Sequence, residues 1–128
     1  MSDAPMELVR RMFALERAHD AAGLVELAAE NVEFDDFTAR VRARGRGEFR
    51  TALERAVRET PDLGCELLFG FADARYFFAE TEVTGRRVVD AYGGRGPAQR
   101  IRRWSIGEVG DGHLLRRRDY WDSALARR

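Results

Sequence analysis

The chain has 128 residues, enough for one hydrophobic core and too few for two, so a single domain over residues 1–128 is expected. Its 22 basic and 22 acidic residues cancel, which removes the broad field that would favour nucleic acid or an anionic membrane. The one cysteine, Cys65, excludes an internal disulfide and a cysteine metal cluster and fits a reducing cytoplasm, and neither an export signal nor a run of about eighteen apolar residues is visible.

Asp3 stands before a helix expected from about Ala4 to about His19, with Pro5 and Glu7 in its first turn and Val9, Met12, Phe13 and Glu16 at helical spacing. Asp20 is placed to cap a shorter helix ending near Ala29. Between Asn31 and Phe37 the alternation of Val32, Phe34 and Asp36 marks a short strand, with Arg40 to Arg44 returning as its partner. Gly45-Arg46-Gly47 opens a third helix that carries Phe49, Leu53, Ala56 and Val57 on one side and stops at Thr60-Pro61. From Gly64 onward the pattern is strand: Cys65 to Phe71, Arg75 to Thr84, a glycine- and arginine-rich connection from Gly85 to Ala98, and a final hairpin. Helices followed by a run of strands describe an α+β architecture.

The final hairpin holds the chemistry. Two aromatic and branched runs between Ile101 and Asp122 flank Gly110-Asp111-Gly112, a strong turn signal. Side chains alternate along a strand, so Arg117, Asp119 and Trp121 share one face, as do Ile101, Arg103 and Ser105 on the partner strand. Trp104, Ile106 and Tyr120 fall on the opposite face. Charge on both faces is expected of a sheet with one side in water and one lining a cavity, which makes Asp119 the first candidate for acid–base work. Parity also groups Glu80 and Glu82 with Arg103, Arg117 and Asp119. Crowded carboxylates titrate upward and a nearby guanidinium titrates them downward, so such a cluster separates an acid from a base.

The run from Gly112 to Asp122, Gly-His-Leu-Leu-Arg-Arg-Arg-Asp-Tyr-Trp-Asp, resembles the last strand of SnoaL-like and limonene epoxide hydrolase-like proteins of the nuclear transport factor 2-like superfamily, which usually ends in Asp-Tyr-Phe-Asp. Gly45-Arg-Gly-Glu-Phe-Arg50 resembles the Gly-Arg start of their third helix, and Thr60-Pro61-Asp62-Leu63 the Pro-Asp that follows it. The resemblance implies a cone: a curved antiparallel sheet wrapped over three N-terminal helices, in the nuclear transport factor 2-like and cystatin-like manner, with a pocket between the layers. It places Asp119 on the last-strand catalytic aspartate of the epoxide hydrolases, Glu82 on their other carboxylate and Glu80 on their arginine. Phe34 stands where their tyrosine would be and Asp36 where their asparagine would be, so the hydrolase set is not intact. Asp36 also resembles the general base of ketosteroid isomerases, but Met12 and Phe13, which stand near the place of the oxyanion-hole tyrosine, lack a hydroxyl to donate.

These readings converge on a pocket for a small apolar organic molecule, with Asp119 as general acid or base assisted by Asp36. Its expected lining is Glu80, Glu82, Arg103, Arg117, Trp121, Phe34, Met12 and Phe13. The reaction would be of cyclase, isomerase or hydrolase type. No cofactor or metal is expected, since His19 and His113 lack the paired spacing of a zinc site. A homodimer through the face of Trp104, Ile106 and Tyr120 is expected from the same resemblance. The alternatives are a non-catalytic ligand-binding module and a dimerisation scaffold, the latter favoured if Phe34, Trp121 and arginine stems fill the pocket.

Overall fold

A computed structural model describes residues 3–122. Helix α1 (Ala4–Arg17) buries Val9, Met12, Phe13 and Glu16, the stripe expected from spacing, while Glu7 and Arg17 oppose the helix dipole at its two ends. The side chain of Asp3 makes no capping bond. The helix ends in a Schellman turn, with His19 N–H donating to the Glu16 carbonyl and Asp20 N–H to that of Leu15. His19 sits in this turn at φ 59°, a conformation that favours glycine, and its ring is held by the Leu63 carbonyl at 2.6 Å. Asp20 then caps α2 (Ala21–Leu27) by accepting from Gly23 N–H at 2.8 Å. That helix is shorter than expected, because the chain turns extended at Ala28 and enters β1 (Ala28–Asp36) directly.

β1 pairs with β2 (Val41–Arg44), which hands over without a loop to α3 (Gly45–Glu59), Gly45 taking φ 84°. Strands β3 (Gly64–Ala72), β4 (Tyr76–Gly85), β5 (Gln99–Gly110) and β6 (His113–Trp121) complete a sheet of order β2-β1-β6-β5-β4-β3. The sheet is antiparallel throughout except that β1 and β6 run parallel. The expected curved antiparallel sheet is thus mixed at this one pair, where β1 and β6 lie side by side pointing the same way. α1 packs on β3 and β4, and α3 on β1 and β2, so the middle strands β5 and β6 are bridged by side chains reaching down between the helices.

Register sorts the concave face into rows, because cross-strand partners point to the same side. One row reads Leu67, Thr81, Arg103 and Trp121. The next reads Gly70, Ala79, Ser105, Asp119 and Asp36, and beyond it lie Ala72, Phe77, Gly107, Arg117 and Phe34. A Cβ at Gly107 would strike the Arg116 carbonyl oxygen and the Phe77 ring. Gly107→Ala is therefore expected to cost about 1–3 kcal/mol, read as a lower urea midpoint at unchanged slope.

The connection from Gly85 to Ala98 is an ordered appendage. Val88 bridges Arg95, Val88 N–H donates to the Glu59 carbonyl at the end of α3, and Asp62 Oδ1 accepts from Arg86 N–H and Arg95 Nη1. None of the described helices is long and apolar enough to cross a membrane.

Candidate functional site

Four charges meet on the concave face. Arg117 lies against Asp119 in a bidentate pair, with Nε to Oδ1 at 2.9 Å and Nη2 to Oδ2 at 3.0 Å. Nη2 also donates to Glu16 of α1, at 2.9 and 3.2 Å. Arg103 grips the same carboxylate from the other side, with Nη1 and Nη2 each 2.9 Å from its two oxygens, and approaches Asp119 at 3.9 Å. Ser105 Oγ donates to Asp119 Oδ1 at 2.7 Å, and Arg103 Nε donates to Thr81 Oγ1 at 3.0 Å. Two guanidiniums thus face two carboxylates, and all four residues are buried.

Electrostatics follows from this arrangement. Burial alone would raise the Glu16 carboxyl, but the Arg103 and Arg117 guanidiniums overcome it and bring the value down to about 2. Burial also opposes charge on Arg117, and Asp119 and Glu16 reverse that effect, holding the guanidinium firmly protonated. Cys65 accepts from Arg103 Nη2 at 3.1 Å, yet burial, with Glu16 beside it, pushes its thiol up to about 11, so it stays neutral.

Asp36 differs. It has no arginine within ion-pair distance among the described residues. Its Oδ1 accepts from Thr38 and Ala39 N–H at 3.1 and 2.8 Å, and its Oδ2 accepts the Trp121 indole N–H at 2.7 Å. Burial raises its carboxyl above the ordinary range; the Ala39 bond works against this, and the neighbouring Asp119 adds to it.

The guanidinium planes rest on aromatic rings. Arg117 lies 4.9 Å over Phe13 and 5.6 Å over Phe34, and Arg103 lies 5.6 Å over Phe13 and 5.3 Å over Trp121. Met12 is in the hydrophobic core beside them. Among the described residues one buried side-chain nitrogen or oxygen lacks a hydrogen-bond partner, Arg117 Nη1.

Asp119, Asp36, Arg103, Arg117, Trp121, Phe34, Met12 and Phe13 are therefore brought to one region. Glu80 and Glu82 are not. Their cross-strand partners are Trp104 and Arg102, so they lie on the convex face, where they pair with Arg102 at 3.0 Å and Arg100 at 3.4 Å. The parity that grouped them with Arg103 fails because Thr81, one residue away, is the partner of Arg103. Sequence spacing assigns Glu16 only to the buried stripe of a helix and gives Ser105 and Thr81 no role. An acid in an apolar stripe opposite two inward arginines was the available signal.

Two surface clefts are formed elsewhere. One of about 480 Å³ lies between the α1–α2 corner and α3, lined by His19, Asp20, Arg50 and Arg58, and one of about 360 Å³ lies beside Asp62, Arg86 and Arg100. Neither contains the four-charge cluster. Among the described residues no three His, Cys, Asp or Glu side chains converge as a metal-ligand set.

The SnoaL-like domain family matches residues 9–117. Among solved structures, a hypothetical protein with a ketosteroid isomerase-like fold from Catenulispora acidiphila, in complex with trimethylamine, is 13% identical with a TM-score of 0.83, covering 93% of this chain and 88% of that one. A candidate SnoaL-like polyketide cyclase from Jannaschia sp. CCS1 is also 13% identical with a TM-score of 0.83, covering 99% and 93%. Bal32a, from a soil-derived mobile gene cassette, is 21% identical with a TM-score of 0.81, covering 97% and 94%. At these identities the likeness is one of fold, the α+β cone with its curved sheet. No curated protein matches.

Proposed function

Because this chain belongs to the SnoaL-like domain family of the nuclear transport factor 2-like superfamily, we propose that it binds a small, largely apolar organic molecule on the concave face and exchanges a proton with it through Asp36. The observation that carries this reading is the contrast between Asp36 and Asp119. Asp119 is engaged on both oxygens by Arg117 and Ser105, which suits it to position its neighbours. Asp36 is held only by neutral donors, and burial raises its proton affinity toward the range useful to a general base. A cyclisation, isomerisation or addition of water needs such a group in a largely apolar setting, with no redox cofactor. The roles expected from the sequence are in this reading exchanged: Asp36 carries the proton and Asp119 orients.

Asp36→Asn is expected to lower turnover at least about 100-fold while retaining ligand binding. The measurement is product formation by mass spectrometry over a panel of neutral cyclic ketones, epoxides and open-chain polyketide mimics. Undiminished turnover in the variant removes Asp36 from the mechanism. Burial keeps the folded Asp36 carboxyl above its unfolded value, so this group's contribution to stability is greatest at low pH and is lost as pH rises through the folded value. The amide removes that penalty at neutral pH, which offsets the loss of its bond from Trp121, so the variant is expected to fold.

A second reading has its own support. The aromatic faces of Phe13, Phe34 and Trp121 are covered by guanidinium planes, which narrows the space left for substrate and favours a non-catalytic binding or dimerisation module. Ligand captured by the wild type without product across the whole panel would select binding alone.

We further propose a homodimer through the convex face. Ile106 and Tyr120 are exposed there, Trp104 is half-buried, and Tyr120 stacks on exposed Phe37 at 5.1 Å. Tyr120→Glu is expected to shift the protein from dimer to monomer in sedimentation velocity. A monomeric wild type would remove the dimer.

A further inference from the structure

We propose that the outer edge of β3 is a docking surface for a second copy of this chain, the two strands pairing antiparallel across a two-fold axis at Gly70 and joining two sheets edge to edge. This contact is separate from the concave face and from the convex-face dimer, and it stands whether or not either of those readings does.

The two edges of the sheet are built differently. At one end β2 is four residues long, carries Arg42 and Arg44 and runs straight into α3, all of which keep an edge from pairing with another chain. At the other end β3 is nine residues long and pairs with β4 alone among the described residues. Its run Leu67-Leu68-Phe69-Gly70-Phe71-Ala72 contains no charge and no proline. Phe69 is 56% exposed and Phe71 60%, and Leu68 beside them is exposed too. Both rings lie on the convex side, because their partners on β4 are Glu80 and Phe78, while Met6 of α1 covers the other side of the strand at Gly70. A bare apolar edge of this kind is a template for one more strand.

The order of residues along β3 selects the partner. Opposite residues of an antiparallel pair share a face, so a strand that meets its own copy in one continuous sheet must place the axis at a residue. An axis at Gly70 sets Phe69 against Phe71 of the second copy, twice over, and Leu68 against Ala72. An axis at Phe69 would set the outward Phe71 against the inward Leu67, and an axis at Phe71 would set Phe69 against Asp73. The Gly70 register alone of these pairs ring with ring, a favourable cross-strand contact. Both ends of the ladder are marked. The bulge between Leu67 and Phe69 breaks the register beyond Leu68, and Asp73 turns its carboxylate back to the Arg75 and Tyr76 N–H groups to close the β3–β4 turn. Neither Glu66 nor Asp73 stands opposite its own copy, so no like charges meet. A ladder from Leu68 to Ala72 is small, so the pairing is weak and grows with concentration.

The test is sedimentation velocity of Tyr120→Glu, which disrupts any convex-face contact, from about 10 µM to about 1 mM, the range in which so small an interface assembles. Dimer is expected to appear as concentration rises, with amide exchange slowed from Phe69 to Ala72 and unchanged in β2. Phe71→Glu added to that chain should weaken the pairing at least about tenfold. Adding Phe69→Lys as well puts opposite charges across both ring pairs of the Gly70 register and should recover most of the loss. If Tyr120→Glu does not fold, the wild type is run over the same range, where the edge contact is the additional step that Phe71→Glu removes. Absence of that step, with the β3 amides exchanging freely at the highest concentration, would overturn the inference and leave the edge to a foreign strand. Pairing that Phe71→Glu does not weaken, or that Phe69→Lys does not restore, would overturn it equally, since the contact would then lie elsewhere or in another register.

Discussion

Glu16→Gln is expected to destabilise the protein by about 3–5 kcal/mol at pH 7 and to flatten its acid denaturation. Glu16 is the anion that touches both buried guanidiniums, so the glutamine leaves Arg103 and Arg117 opposed by Asp119 alone. The folded carboxyl titrates near 2 and the unfolded one near 4.5, so the group stabilises the native state fully above 4.5 and loses that contribution as pH falls toward 2. A shift of that size corresponds to about 3 kcal/mol, in line with the cost of breaking a buried pair. Urea melts of wild type and variant from pH 7 to pH 2 check this. The two stabilities should converge at the acid end, and a gap independent of pH would show that packing rather than charge is lost.

Asp119→Asn is expected to cost about 3 kcal/mol, because it removes half the compensation of Arg117 and turns an amide N–H toward a guanidinium. The more informative variant is the double one. Arg117→Met alone leaves Asp119 with Ser105 and a distant Arg103, and it too is expected to cost about 3–5 kcal/mol. Combined with Asp119→Asn, it removes both members of the pair and fills the volume with an apolar chain. The double variant should therefore be more stable than the sum of the single effects predicts, by about 2 kcal/mol or more. Additive losses in denaturant melts would mean that the two residues act independently. The same logic changes how a loss of activity in Asp119→Asn is read: the substitution disturbs the fold's central ion pair, whereas Asp36→Asn does not, which makes Asp36 the cleaner test of proton transfer.

The elements readable from sequence are those set by local periodicity. The buried stripe of α1, the Asp20 cap, the end of α3 at Thr60-Pro61 and the final hairpin around Asp111-Gly112 each depend on residues a few positions apart. In the final hairpin the turn pairs Gly110 with His113, a register that would set Arg103 opposite Tyr120, and a bulge between Glu108 and Val109 shifts it so that Arg103 meets Trp121 and the side chains of Arg103, Arg117, Asp119 and Trp121 share one face.

The face of β4 was beyond such reasoning. Its register against β5 is set across the long Gly85 to Ala98 connection, and a change of one residue turns every side chain over, which is how Glu80 and Glu82 came to be expected inside and lie outside. The parallel pairing of β1 with β6 was equally hidden, since it joins segments some eighty residues apart and brings Asp36 beside Asp119 and under the Trp121 indole. By itself the sequence determined the helices, the last hairpin and the presence of inward charge. Only the tertiary structure decided how that charge is shared: Glu16 reaches down from α1 to neutralise two arginines, which commits Asp119 to an ion pair and leaves Asp36 without one. Periodicity says which way a side chain points along its own element, and the partner it meets there is set by how distant elements pack.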